Sequence, residues 1–242
     1  MNLYIYTQMD YLIILLATLL IVVIAYMIST AVSTTTTISK EVDMKDKTAD
    51  ISASSINRPD ATRYAYNIWL YMDKPVTGST LVPIFNRAND LGLFINGSTS
   101  TLTLRLYRRT GSGNAGSGAE DIIPYQITNN FPLQKWTLVT VSVDNSTIDM
   151  YLDGKLVKSV RDTTGSNRHL PDGVSPIVFG VLPGTYMTRF SRVVSPSDPQ
   201  TAWNLYMEGS GSKKGLGNLV NRYNVNLSIM KDNVLANSIS LW

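Results

Sequence analysis

The stretch KWTLVTVSVDNSTIDMYLDGKLVKSV, residues 135–160, decides the fold. Its first half is rich in residues that favour strands, and apolar and polar residues alternate over 147–152. Asp153 and Gly154 then form the two-residue pattern that closes a type I′ hairpin. The stretch therefore predicts a β-meander, and we expect Trp136, at the start of its central strand, to pack inside a sandwich.

Short β-rich segments separated by turn residues continue on both sides of the meander. They lie at 63–72, 80–85, 91–95, 101–107, 122–127, 176–182 and 185–194. Many short strands of this kind are typical of a β-sandwich or barrel. One short helix is expected after the last strand, where Ser197 or Asp198 can cap, Pro199 suits the first turn and Gly209 can terminate.

Three parts of the sequence resemble the laminin-G-like form of the concanavalin A-like lectin/glucanase superfamily. They are YNIWLYM at 66–72, Trp136 followed by Tyr-Leu-Asp-Gly at 151–154, and a last strand leading into a Ser-Pro-capped helix with Leu205 and Tyr206. The resemblance covers about 61–209. It implies an all-β fold in which two antiparallel sheets form a jelly-roll sandwich.

The N-terminal part predicts a membrane anchor. Residues 11–28, YLIILLATLLIVVIAYMI, carry no charge, and a helix of about 20 apolar residues spans a bilayer. A cleaved signal peptide is one alternative, but 1–10 lack its basic residues, and a buried apolar helix is another. The expected organisation is a single-pass transmembrane anchor at 1–28, a polar spacer at 29–60, the jelly-roll domain at 61–209, and a linker with an apolar tail at 210–242.

Composition excludes several classes of protein. The chain of 242 residues has no cysteine and one histidine, His169, so thiolate metal sites and most catalytic triads are ruled out. Its net charge of +3 comes from well-mixed acidic and basic residues, which argues against nucleic acid as a partner. We predict no cofactor and no metal ion.

The carboxylates do not suggest glycan cleavage. Enzymes of the superfamily commonly carry Glu-x-Asp-x-Glu on one strand, and this motif is absent. Retaining hydrolysis needs two carboxyl groups about 5–5.5 Å apart. The three glutamates, Glu41, Glu120 and Glu208, fall in separate segments. Asp149 and Asp153 would be about 13 Å apart along a strand. The sequence therefore predicts a protein that is not an enzyme.

Since the sequence does not predict an enzyme, we expect a protein that binds a ligand or a partner. The candidate ligand-binding residues are Tyr107, Asn86 and Asp90, which could supply an aromatic platform and polar loop groups for a glycan. The alternative is that they are ordinary strand and turn residues. The tail is expected to bind a partner or to fold back on its own domain, and its candidate contact residues are Val225, Leu227, Ile229 and Trp242.

An anchor followed by a jelly roll is similar in layout to membrane-anchored minor capsid proteins of large icosahedral DNA viruses. This similarity implies a virion structural protein that links an internal membrane to the protein shell, with the lipid bilayer and neighbouring capsid proteins as partners. The alternative is a membrane-anchored, lectin-like carbohydrate-binding protein at a host, cell or virion surface. The sequence leaves both functions open.

Overall fold

The computed structural model describes residues 15–23, 35–38, 40–78, 80–109, 120–162, 171–211, 226–231 and 234–240. Helix α1 covers residues 15–23, and helix α2 covers Pro199–Met207. The strands, in chain order, are β1 (Thr35–Ile38), β2 (Val42–Asp43), β3 (Arg63–Met72), β4 (Leu81–Arg87), β5 (Leu91–Asn96), β6 (Leu102–Arg109), β7 (Glu120–Thr128), β8 (Thr137–Asp144), β9 (Thr147–Leu152), β10 (Lys155–Arg161), β11 (Ile177–Phe179), β12 (Thr185–Val193), β13 (Asn226–Lys231) and β14 (Val234–Ser240).

Two antiparallel sheets form the sandwich. The seven-stranded sheet has the order β1-β12-β3-β8-β9-β10, and β2 pairs with β12 beside β1. The five-stranded sheet has the order β11-β4-β5-β6-β7. Alternate residues of each strand point between the sheets, because successive side chains of a strand lie on opposite faces. The predicted all-β, two-sheet antiparallel sandwich is confirmed, and it fits a jelly roll.

The central meander forms as its sequence predicts. Strands β8, β9 and β10 pair in succession, and Asp153 and Gly154 have φ values of 49° and 74°, as a type I′ turn requires. The Asp153 carboxylate accepts hydrogen bonds from the Leu138 backbone N–H at 3.0 Å and from Lys135 Nζ at 2.6 Å. The bond to Asp153 raises the pKa of Lys135. Asp153 therefore fastens the turn to the start of β8.

The sandwich begins before the expected boundary at residue 61. Strands β1 and β2 both pair with β12, and Ile51 forms a bridge with Ile177. Met44 is fully buried, and Ile56 is almost so. Strands β1 and β2 of the segment expected to be a polar spacer, 29–60, therefore belong to the larger sheet, and Met44, Ile51 and Ile56 pack with the core.

The structure describes only part of the expected anchor at 1–28. Residues 15–23 form helix α1, and their large apolar side chains are exposed, from Leu15 to Val23. Among the described residues, no helix combines the length and the apolar character needed to cross a bilayer.

Part of the tail forms a β-hairpin of its own. In this hairpin, Leu227 and Ile229 of β13 pair with Ile239 and Asn237 of β14. The other two predicted contact residues, Val225 and Trp242, lie outside the described residues. The role of the tail in partner binding stays a prediction.

A second hydrophobic cluster lies on the outer face of the larger sheet, beneath α2. Trp69, Trp136 and Leu138 are its buried residues, and they pack against Tyr71, Tyr186, Leu205 and Tyr206. The rings of Trp69 and Tyr206 stack with centroids 5.9 Å apart. Trp136 is therefore buried as predicted, but beneath the helix rather than between the sheets.

Replacing Gly154 by alanine is expected to destabilise the fold by at least about 1–2 kcal/mol, the cost of a left-handed conformation for a residue with a Cβ. The added Cβ would also lie 3.0 Å from Trp203 Cα and 3.1 Å from the carbonyl oxygen of Ala202, in α2. Urea unfolding measures the loss. The control is Gly173→Ala, where a Cβ would meet nothing within 4 Å. Equal stability of the two variants would contradict the close approach of turn and helix.

Candidate ligand-binding groove

Helix α2 is held across the outer face of the larger sheet by polar contacts at its start. The backbone N–H of Ser197 donates to Ser142 Oγ at 2.8 Å, and the hydroxyl of Tyr151 donates to the Ser197 carbonyl at 3.4 Å. Asp198 caps the helix by accepting from the Thr201 N–H at 2.7 Å. Its hydrogen bonds with Thr201 hold the pKa of the Asp198 carboxyl below its usual value. These contacts fix the helix above the sheet.

A groove with a volume of about 450 Å³ lies between the helix and the sheet. Trp69 and Leu138 form its buried floor, and the half-buried Val193, Pro196 and Leu205 supply its apolar walls. Its polar surface includes Asn67 and Ser191. This volume falls within the range of about 300–1,000 Å³ that is usual for small-molecule sites, which commonly combine apolar walls with a few placed polar groups.

The polar groups in the groove are held in place by neighbouring side chains. Asn67 is only 3% exposed, and its Oδ1 accepts a hydrogen bond from Thr140 Oγ1 at 2.9 Å. Its Nδ2 donates to Ser191 Oγ at 3.3 Å. An amide whose orientation is fixed in advance loses little conformational entropy when it binds a ligand.

A bulge in β12 shapes one wall of the groove. The pairing of β12 with β3 shifts register between Thr188 and Ser191, and Arg189 has a φ of 48°. This conformation is uncommon for a bulky residue, and bulges often redirect side chains beside functional sites. Arg189 Nη1 lies 3.4 Å from Glu208 Oε2, so an exposed ion pair joins the bulge to the end of α2.

The structure places Asp90 in the interior rather than on a binding loop. Its side chain is fully buried, and it accepts hydrogen bonds from the hydroxyls of Tyr64 and Tyr66. Arg87 Nη1 forms a buried ion pair with Asp90 at 3.1 Å. Burial, together with the nearby carboxylate, raises the pKa of both tyrosines well above the usual value. Asp90 therefore stabilises the interior.

The other two candidates also lie outside the groove. Asn86 is half-buried on β4, and Tyr107 on β6 is 8% exposed. Both strands belong to the five-stranded sheet, and the groove lies on the seven-stranded one. Asn67, which does line the groove, is not among the candidates predicted from the sequence. The available signal was a lone amide in YNIWLYM, an otherwise apolar and aromatic segment.

No metal-binding geometry is found in the part of the chain that the structure describes. Within that part, no three His, Asp or Glu side chains are grouped so that they could hold an ion.

The sheets, the helix across one face and the groove beneath it define a jelly-roll sandwich with a surface site. The chain belongs to the concanavalin A-like lectin/glucanases superfamily, whose laminin-G-type family model matches residues 45–191. The match confirms the resemblance found in the sequence, and it begins within the segment expected to be a spacer. No curated protein is significantly similar to the chain in sequence.

Parts of several solved structures align with the chain. A tryptophan-to-alanine mutant of HCR/D is 14% identical with a TM-score of 0.51, over 72% of this chain and 42% of that one. The binding domain of Paraclostridial Mosquitocidal Protein 1 is 12% identical with a TM-score of 0.47, over 72% and 45%. The botulinum neurotoxin serotype D binding domain is 15% identical with a TM-score of 0.46, over 62% and 38%. The chain thus matches less than half the length of each, and the first likeness, with a TM-score of 0.51, is one of fold.

Proposed function

We propose that this protein is a glycan-binding protein without enzymatic activity, held at a membrane by its N-terminal segment. The groove beneath α2 is the observation that carries the proposal. The chain belongs to a superfamily that is named for lectins and glucanases, which is consistent with glycan binding.

The groove has the two kinds of surface that a sugar needs. A pyranose ring has apolar C–H faces and hydroxyl groups around its edge. The half-buried side chains of Val193, Pro196 and Leu205 offer apolar surface to the faces, while Asn67 and Ser191 offer hydrogen-bonding groups to the hydroxyls. Because Asn67 is held by Thr140, its amide is oriented before the ligand arrives.

The groove favours binding over cleavage. Among the residues that line it, one carries a carboxylate, Glu208, and that group is paired with Arg189. Hydrolysis of a glycosidic bond normally needs two carboxyl groups that flank the bond. The described residues of this lining offer groups that can hold a sugar but no second carboxyl group for acid and base chemistry.

A panel of immobilised glycans tests the proposal. The full chain, kept in detergent micelles, is expected to bind at least one class of glycan saturably, and free glycan should compete. Heat-denatured protein serves as the control for nonspecific adhesion of the apolar segment. A native protein that binds no glycan in the panel would contradict the proposed function.

Membrane attachment rests on the apolar run at 11–28, of which 15–23 form a helix with exposed leucine, isoleucine and valine side chains. We expect the full chain to stay in the membrane pellet after carbonate extraction at high pH and to need detergent for release. A chain that starts at residue 34 keeps β1 and should remain in solution. Release of the full chain by carbonate alone would count against a spanning anchor.

A structural role in a virion, with neighbouring capsid proteins as partners, is the second candidate and stays a prediction that rests on the layout of the sequence. The location of the chain in purified particles tests it. Binding to a shell protein without any glycan binding would favour this candidate over the glycan-binding one.

A further inference from the structure

We propose that a second cavity beside the groove is a subsite for the anionic group of an acidic sugar, either a carboxylate or a sulfate, formed around Arg58 and Arg63. This inference rests on the proposed glycan-binding function and specifies the class of glycan.

A second cavity, of about 280 Å³, supplies the subsite. It is lined by Arg58, Ala61, Thr62, Arg63, Val194, Ser195 and Pro196. Ser195 and Pro196 also line the groove, so the two cavities lie on either side of the connection from β12 to α2. Among the described residues of this lining, two carry cationic side chains and none carries a carboxylate, and Asp144, the partner of Arg63, lies outside it.

Strand β3 aligns the two cavities. Trp69, Asn67, Ala65 and Arg63 alternate along the strand, so their side chains lie on the same, outer face of the sheet. Asn67 lines the groove, and Arg63 lines the second cavity. Four residues of strand separate these two by about 13 Å. Ala65, the outward residue between them, is fully buried and lines neither cavity, so an oligosaccharide that reaches both passes over the connection at Ser195 and Pro196.

The loop that carries Arg58 is fixed from below. The buried Arg192 donates from Nη1 to the carbonyl oxygens of Asn57, at 2.9 Å, and of Arg58, at 3.4 Å. Arg58 has a φ of 42°, and its carbonyl also accepts a hydrogen bond from the Ala61 N–H at 3.0 Å. This backbone is therefore ordered before a ligand binds, while the Arg58 side chain is exposed.

The charge of the subsite favours an anion. Arg63 donates to both carboxylate oxygens of Asp144, at 2.9 Å and 3.4 Å, but both side chains are largely exposed, so the pair is screened by water and Arg58 carries most of the unpaired charge of the lining. In the part of the lining that the structure describes, no carboxylate lies beside Arg58. Guanidinium groups bind carboxylates and sulfates through paired, charge-assisted hydrogen bonds. A neutral sugar hydroxyl offers no comparable partner.

Matched sets of neutral, sulfated and sialylated oligosaccharides test the subsite on the full chain. We expect the wild-type protein to bind the anionic member of a set about tenfold more tightly than the neutral one. Arg58→Gln and Arg63→Gln should remove this preference and leave the affinity for the neutral member unchanged. Arg105→Gln is the control, since Arg105 lies over the Phe94 ring on the other sheet and its loss changes the net charge equally.

The possible results distinguish a failure of the subsite from a failure of the proposed glycan-binding function. Equal wild-type affinity for neutral and anionic members would overturn the subsite and leave the proposed function standing. An equal loss of preference in Arg105→Gln would also overturn it, because general attraction by net charge would then explain the result. A protein that binds no member of any set would contradict the proposed function itself.

Discussion

Replacing Asp90 by alanine is expected to lower the free energy of unfolding by about 3–5 kcal/mol, the usual cost of removing one partner of a buried ion pair. Both Arg87 and Asp90 have side chains that are 0% exposed, and their Nη1 and Oδ2 atoms lie 3.1 Å apart. The variant leaves the buried Arg87 charge with only a more distant carboxylate, that of Asp172, whose Oδ1 lies 3.9 Å from Arg87 Nη2. It also removes the acceptor that the hydroxyls of Tyr64 and Tyr66 share.

This effect is large because the pair sits where separate loops meet. Arg87 also donates from Nε to the Ser175 carbonyl at 3.0 Å and from Nη1 to the Pro59 carbonyl at 2.8 Å. The guanidinium thus joins the segments before β3 and before β11 to the sheet that carries β4. A loss of its carboxylate weakens the anchorage of both segments.

Urea unfolding of Asp90→Ala and Asp144→Ala measures the effect against a matched control. Asp144 pairs with Arg63 at a similar distance, 2.9 Å, but the two side chains are 47% and 61% exposed. We therefore expect the control to lose only about 0–1 kcal/mol, the usual range for a surface pair. Similar losses in the two variants would contradict the structural role of the buried pair.

Replacing Trp136 by alanine is expected to cost about 3 kcal/mol, the lower end of the range for loss of a large buried aromatic side chain. Trp136 is 9% exposed, and its ring centroid lies 5.5 Å from that of Tyr71. The indole fills the cluster beneath α2, so its removal leaves a cavity between helix and sheet.

Trp203→Ala is the matched control, because Trp203 lies on α2 itself but is 40% exposed. It contacts Tyr206 at a centroid distance of 5.5 Å and should lose much less stability when truncated. Thermal unfolding of both variants measures the two losses of stability. A Trp136→Ala variant as stable as the wild type would show that the cluster does not hold the helix.

Sequence patterns predict the structural elements that depend only on residues close together in the chain. The Asp153–Gly154 turn has the dipeptide that a type I′ turn requires, and its φ values agree. Helix α2 begins at Pro199 after an Asp198 cap, as the sequence indicates. The alternation over 147–152 likewise becomes strand β9.

Features that depend on distant partners were not predicted. The sequence TTTI of β1 is polar and low in complexity, and it becomes a strand because β12 offers it an edge. Asp90 looked like a turn residue, but residues far away in the chain, Tyr64 and Tyr66, enclose it. The groove similarly combines strands β3, β8 and β12 with α2, and no local pattern brings these together.

The central claim, a glycan site beneath α2, is tested most directly by blocking the groove. Ser191 is half-buried in the groove wall beside Asn67, and Ser191→Phe places a ring in the space that a sugar would occupy. Val178→Phe is the control, because Val178 lies on β11 of the other sheet and is 37% exposed. Thermal unfolding confirms that both variants remain folded.

The measurement is the affinity of the two variants for the best glycan from the panel. We predict that Ser191→Phe binds at least about tenfold more weakly than the wild type, a loss of about 1.4 kcal/mol of binding free energy. Val178→Phe should bind as the wild type does. A folded Ser191→Phe variant with wild-type affinity would contradict the account, because the glycan would then bind elsewhere on the protein.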